Sequence, residues 1–345
     1  MKSKRFIISA LSVFIACLLL IACFQIVVDP LFQYHTPLFG MKPVLTDERY
    51  QYAGVARNFG FDTVILGNSF CENFKPSDLD CAFGGKTVKL AVSGSIPKDW
   101  ALLLEIIKQR AVQPGLIVSN MDPYSLLSSD PDAETTLPGY LYDGNLPNDV
   151  GYFYNFGTLS IAFDVIKRNI TGAVPDPDTV FLKNARGREA VINGRDTIDE
   201  VNEDPSVEDA VARASANLEV LLPYLKSMPG TEFRLFFTPV SILYWYKVLQ
   251  ERNFDCWYAV TEMFCEKLLG YPNVKLYLWS DDEMFGTISD LDNYADEAHC
   301  SPEVCERLIK RMSDGKGLLS SENYRDSIDR LFGYAKSFDY TSLIG

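Results

Sequence analysis

With 345 residues, 47% of them hydrophobic, the chain can bury a full core and is not a disordered polypeptide. Its formal net charge is -14, and setting aside the three cations Lys2, Lys4 and Arg5 leaves -17 on the rest. That balance argues against nucleic acid or anionic lipid headgroups as partners and makes a neutral or cationic substrate easier to bind.

At the N-terminus, Phe6 to Val28 is an apolar run without a charge, preceded by the three cations and closed by Asp29-Pro30. About twenty residues at the helical rise cross a bilayer's hydrocarbon, and a cationic flank stays in the cytoplasm. Residues 1–28 therefore read as an N-terminal transmembrane helix, a single-pass anchor in the cell membrane with everything after Val28 extracytoplasmic. A cleaved signal peptide and a lipoprotein signal compete with the anchor, the second because Leu20-Ile21-Ala22-Cys23 reads like a lipid-modification box. Both rank below it, since Phe24, Ile26, Val27 and Val28 prolong the apolar stretch past Cys23.

A juxtamembrane segment, 29–58, follows; it is rich in Pro, Tyr and Phe and holds His35, one of only two histidines. No carboxylate stands at a helpful offset from His35, which reads as a surface or packing residue. From 59 to 345 short β-branched runs alternate with amphipathic stretches, the pattern of an α/β domain whose parallel sheet is covered on both faces, a three-layer α/β/α sandwich. Five strands are expected at Thr63–Leu66, Thr87–Val92, Leu116–Asn120, Glu232–Phe237 and Val274–Leu278. Helices are expected at Trp100–Arg110, Asp209–Ser227, Ile242–Arg252, Asp255–Leu269, Pro302–Met312 and Ser321–Gly333, with Ser301-Pro302 a strong start signal. Between the third and fourth strands lies an insertion, 124–206, whose length and clustered aromatics (Tyr140, Tyr142, Tyr152, Phe153, Tyr154) predict an ordered cap over the site.

Six cysteines, Cys71, Cys81, Cys256, Cys265, Cys300 and Cys305, fall in the exported part, where disulfides persist. Cys256 and Cys265 are nine residues apart in a helical stretch, about 13 Å, too far to bridge. Cys71 with Cys81 and Cys300 with Cys305 are candidate pairs; free buried thiols are the equal alternative. No CxxC pair or histidine cluster points to a metal, and no cofactor is expected.

Two short motifs carry chemistry. Gly67-Asn68-Ser69 directly follows the first strand, which sets Ser69 at the carboxyl edge of the sheet, where open α/β folds hold their ligands. The glycine permits a tight turn, and a helix starting there would offer backbone N–H groups to an oxyanion. Asp296-Glu297-Ala298-His299 precedes the Ser301-Pro302 helix. A carboxylate three residues before a histidine can fix its tautomer and leave the other ring nitrogen to deprotonate a serine.

Ile65-Leu66-Gly67-Asn68-Ser69 resembles the first block of the SGNH/GDSL hydrolase superfamily, and Asp296-x-x-His299 resembles its last. The resemblance covers about residues 62–312 and implies strand order 2-1-3-4-5, the flavodoxin-like order, with Ser69, Asp296 and His299 catalytic. Ser93-Gly94 looks like the second block, implying the backbone N–H groups of Ser69 and Gly94 as oxyanion donors. The family's Gly-x-Asn-Asp block is replaced by Ser119-Asn120-Met121-Asp122; Asn120 stands as a third donor, or Asp122 shapes the pocket. The architecture resembles the membrane-tethered branch that includes the D-alanyl transfer protein of teichoic acid synthesis and the alginate-type O-acetyltransferases. That resemblance implies a serine esterase or O-acyltransferase working on a cell-surface polysaccharide or acylated polymer, with a membrane-bound O-acyltransferase as partner. The alternative is a noncatalytic protein of the same fold that binds a glycan or that partner.

Overall fold

The computed structural model describes residues 2–194 and 206–344, so the stretch 195–205 of the predicted insertion lies outside the described residues. Its contacts sort into two compact units: Met1–Gly60 with Leu137–Val180, and Phe61–Thr136 with Phe181–Gly345.

The second unit is built on five parallel strands, β1 (Thr63–Gly67), β2 (Thr87–Ala91), β3 (Leu116–Asn120), β4 (Glu232–Phe236) and β5 (Val274–Tyr277). Their order is β2-β1-β3-β4-β5, the expected fold class. β1, β2 and β3 are buried at every position, as strands covered on both faces must be. The chain steps from β1 to β2 in one direction and from β2 through β3 to β5 in the other. Right-handed crossovers therefore send the Pro76–Phe83 helix to one face and the Pro97–Lys108 helix to the other. The Pro302–Ser313 helix, after β5, packs back against Pro76–Phe83. The reversal of direction beside β1 opens a crevice at the carboxyl ends of β1, β2 and β3.

Two helical expectations change in detail. The stretch 209–227 forms two helices, Val207–Glu219 and Leu222–Ser227, because Pro223 cannot donate into a continuing ladder. After Ser69 there is no long helix, only one 3-10 turn, Ser69–Cys71. The Asn68 carbonyl group of the side chain accepts from Phe70 N, and Lys75 before Pro76 is extended, so the helix waits until Pro76.

The first unit opens with the Lys2–Val28 helix, whose stretch from Lys4 to Val28 (mean hydropathy 2.9 over 18 of its residues) is long and apolar enough to cross a membrane, a property that anchors and signal sequences share. Its last turns belong to the folded unit: Gln25 is fully buried and Val28 nearly so. The chain then turns about Asp29, whose buried carboxylate accepts from Gln33 N (2.9 Å), Tyr34 N (2.7 Å), His35 N (2.9 Å) and Tyr152 Oη (2.6 Å). Burial pushes Asp29 above the usual carboxylate range even though those four donors pull it down. Of the insertion's aromatics, Tyr152 and Phe153 pack on Tyr34, and Tyr142 Oη donates to Arg49 O. The His35 ring bridges Ile26 O and Thr36 O, each at 2.7 Å.

Candidate active site

Ser69, Asp296 and His299, 230 residues apart in sequence at the extremes, meet in the second unit. Ser69 Oγ lies 2.8 Å from His299 Nε2, and His299 Nδ1 lies 2.8 and 2.7 Å from the two oxygens of Asp296. With Nδ1–H held by the carboxylate, Nε2 is the basic nitrogen and faces the serine hydroxyl. Asp296 Oδ1 also accepts from Ala298 N and His299 N, so the loop and the ring are oriented by one carboxylate. Burial acts to raise Asp296, but the hydrogen bond and charge of His299 and those two amides outweigh it and hold the carboxyl well below its usual range. Phe70 lies against the imidazole, with ring centroids 5.2 Å apart.

The loop that carries His299 is fixed from three sides. Tyr294 pairs with Cys300 as an antiparallel bridge, and Tyr294 Oη donates to Pro239 O at 2.6 Å. Ser241 Oγ donates to Glu297 O at 2.5 Å, and the Lys247 ammonium pairs with the Glu297 carboxylate at 3.1 Å. Asn73 Nδ2 donates to Cys300 O (2.6 Å) and Lys183 O (2.8 Å), and its Oδ1 accepts from Lys183 N. One asparagine from the segment after Ser69 thus ties together two distant loops that border the serine.

The nucleophile's turn depends on Gly67. Its φ is +149°, and a Cβ there would fall 2.2 Å from Asn120 Oδ1 and 2.8 Å from Cys71 Sγ. Gly67 O accepts from Val92 N (2.9 Å) and Ser95 Oγ (3.2 Å), which fastens the Ser93–Gly94 turn next to Ser69. Gly94 has φ +63°. Ser69 and Gly94 line a common cavity of about 600 Å³, and among the described residues neither backbone N–H has a hydrogen-bond acceptor. Such a pair is equipped to receive an oxyanion.

Asn120 is the correction. It is fully buried and absent from the cavity lining, with Nδ2 donating to Asp122 Oδ2 (2.5 Å) and Oδ1 accepting from Cys71 Sγ (3.2 Å) and Asn68 N (3.4 Å). It braces the turn from beneath, and its burial outside the cavity keeps it from a substrate. Asp122 caps the Pro123–Ser128 helix through Ser125 N and Oγ (each 2.9 Å), and burial raises its carboxyl. Ser125 Oγ in turn accepts from Asn68 Nδ2 at 2.5 Å. Asp122 shapes the pocket through Ser125 and Asn68, both of which line it.

The insertion's two flanks supply the rest of the lining: Tyr124, Ser128 and Ser129 on one side, Lys183, Arg186 and Gly194 on the other. Tyr244 and Lys247, from the Ile242–Gln250 helix, complete it. Sequence reasoning assigns none of these residues to the site, although it weighs Tyr244 as a residue able to stack on a sugar ring and Glu297, which engages Lys247, stands inside the Asp-x-x-His motif itself. Neither candidate disulfide forms; Cys71 is buried and Cys81 exposed. Burial raises the Cys71 and Cys300 thiols, Cys300 to about 12, as expected of packed, unreactive sulfur.

No family model matches the chain, and no curated protein matches its sequence. Among solved structures, one from Streptococcus pneumonia, provisionally described as a platelet activating factor, aligns with 77% of this chain and 90% of its own. Its identity is 14% and the TM-score 0.38, a likeness too distant to carry function across.

Proposed function

We propose that this chain is a membrane-anchored, extracytoplasmic serine esterase or O-acyltransferase of SGNH type that acts on a cell-surface polysaccharide or acylated polymer through an acyl-serine intermediate. The observation that carries the proposal is the contact of Ser69 Oγ with His299 Nε2 at 2.8 Å while Asp296 holds Nδ1.

In the proposed reaction Ser69 Oγ attacks an ester carbonyl carbon as its proton passes to His299 Nε2. Asp296 stabilises the imidazolium, and the N–H groups of Ser69 and Gly94 receive the oxyanion. Collapse breaks the bond to the leaving alcohol, which takes the proton from His299, and the acyl group stays on Ser69. Water attacking with His299 as base completes an esterase cycle; a sugar hydroxyl in its place completes a transfer. The cavity lined by Tyr124 and Tyr244 has room for a hydroxyl-rich acceptor, which a transfer requires. Burial of Gln25 and Val28 in the folded unit argues against removal of the chain as far as Val28.

The test is stoichiometric labelling of the full-length chain by a serine-directed phosphonate, with Ser69→Ala and His299→Ala as controls. Labelling at Ser69 that depends on His299 is the expected outcome. A folded chain that takes no label would sink the catalytic reading and favour the noncatalytic glycan- or partner-binding protein.

A further inference from the structure

Exposed apolar surface is concentrated in one part of this molecule. Outside the first helix, six described apolar side chains are at least 59% exposed: Phe39, Val112, Val150, Phe156, Phe163 and Ile170. All but Val112 belong to the unit that contains the first helix, although that unit is the smaller of the two. A contiguous apolar surface on a polar protein marks an interface.

The Phe156–Thr171 helix is the main contributor. Phe156, Phe163 and Ile170 recur every seven residues and so share one face, a stripe about 21 Å long. A different face of the same helix packs inward: Ala162 and Val165 form a buried cluster with Val28 and Val44, and Phe24 lies against it. The helix is therefore apolar on two sides, one closed by the end of the first helix and the other open. Phe163 joins them, its ring 5.2 Å from that of Phe24.

Phe24 stands four residues before the end of the apolar helix, about 6 Å along its axis. The uncharged run Phe6–Val28 is 23 residues, roughly 35 Å, against about 30 Å of hydrocarbon, so its last turn reaches the interfacial layer. A side chain touching Phe24 is held at that depth. Lys42 and Asn169 exchange hydrogen bonds, N to Oδ1 at 2.7 Å and Nδ2 to O at 3.2 Å, which fastens the loop bearing Phe39 to the far end of the same helix. Phe39 is 85% exposed with φ +56°, a conformation a phenylalanine adopts only at a cost.

We infer that the Phe156–Thr171 helix, with the Phe39 loop, seats in the interfacial layer of the lipid bilayer beside the anchor; this rests on reading Lys4–Val28 as a retained span. Lipid is the occupant because the open face is continuous, through Phe163 and Phe24, with a helix whose own outward side chains, Phe14 and Leu20 among them, must lie in lipid. Lys167, on the exposed side of the helix, can extend its ammonium to the headgroups while its stem stays in the apolar layer. A lone span leaves the protein free to swing about its exit from the membrane; a second lipid contact removes that freedom.

The test uses the full-length chain in vesicles of zwitterionic phosphatidylcholine with brominated acyl chains, which quench nearby tryptophan. The native tryptophans, Trp100, Trp245, Trp257 and Trp279, are all buried and provide a constant background. Phe156→Trp, Phe163→Trp and Phe39→Trp should each add emission that bromine quenches, most strongly with bromines roughly 5–10 Å below the headgroup boundary. Val112→Trp, 75% exposed and outside the unit that holds the first helix, is the reference for an exposed tryptophan that the inference does not place in lipid. If the chain resists alkaline carbonate extraction and the three new tryptophans behave like Val112→Trp, the inference is overturned and a protein partner becomes the occupant of the face. Release by carbonate would overturn the anchor reading and the inference with it. Neither result depends on whether Ser69 labels.

Discussion

Two aspartates, one in each unit, are given nearly the same donors and reach opposite states. Asp29 accepts three backbone N–H groups and the Tyr152 hydroxyl; Asp296 accepts two backbone N–H groups and the His299 ring. Asp29 is 1% exposed and has only neutral donors, so burial wins and its carboxyl rises. Asp296 has water on one side and an imidazole that can share its charge, so attraction wins and its carboxyl falls. The first arrangement is a knot that closes a turn after the first helix. The second keeps a carboxylate ionised beside a base, which is the electrostatic requirement for a relay. Counting hydrogen bonds alone would not have separated them; the charge of the partner and access to water do.

Exchanging the carboxylates for amides tests that distinction most sharply. Asp296→Asn keeps an oxygen for Ala298 N and His299 N but presents an N–H₂ to Nδ1, which forces the proton onto Nε2, the nitrogen that must accept from Ser69. On the proposed mechanism kcat for a small ester should fall by about 10⁴, with KM little changed. A tenfold loss or less would mean that Asp296 is not orienting the ring.

Asp29→Asn should do the reverse. Asp29 Oδ1 accepts from Gln33 N and Tyr152 Oη, and Oδ2 from Tyr34 N and His35 N, so one of the two pairs must lose its acceptor to an N–H₂ group. Buried donors left unpaired should lower stability by about 1–3 kcal/mol, while the kcat of the folded fraction stays as it was. Urea unfolding beside ester turnover of the same preparation separates the two effects.

The strands were legible because full burial on both faces leaves near-continuous β-branched runs, such as Thr63–Gly67, that composition alone marks. The meeting of Ser69, Asp296 and His299 was legible because Asp296 and His299 are local to each other and Ser69 follows a strand. What stayed hidden depends on groups far apart in sequence. Tyr152 reaches Asp29 across 123 residues, so the pairing of 137–180 with the N-terminal segment leaves no periodicity to read. Asn120 read as a donor because its residue type fits that role. Only the approach of its Oδ1 to Gly67, with Asp122 taking its N–H₂ group, reveals a brace instead.

Acid gives the finest version of the comparison, because the two carboxylates must respond to it with opposite sign. Asp29 has a folded pKa above its ordinary 3.8, so its contribution to stability is greatest below that value and is lost as pH rises through the folded pKa. Asp296 has a folded pKa below 3.8, so its contribution is complete above that value and is lost as pH falls toward the folded pKa. Amide hydrogen exchange, corrected for the intrinsic rate at each pH, reads both in one sample. Protection of Gln33, Tyr34 and His35 should increase as pH is lowered toward 3.8, while protection of Ala298 and His299 should hold to that point and decrease below it. Asp29→Asn should flatten the first trend and leave the second, and Asp296→Asn should do the converse. If both regions lose protection together in acid, the turn at Asp29 is not the desolvated knot described above, and its carboxylate is stabilised in the same way as the one beside His299.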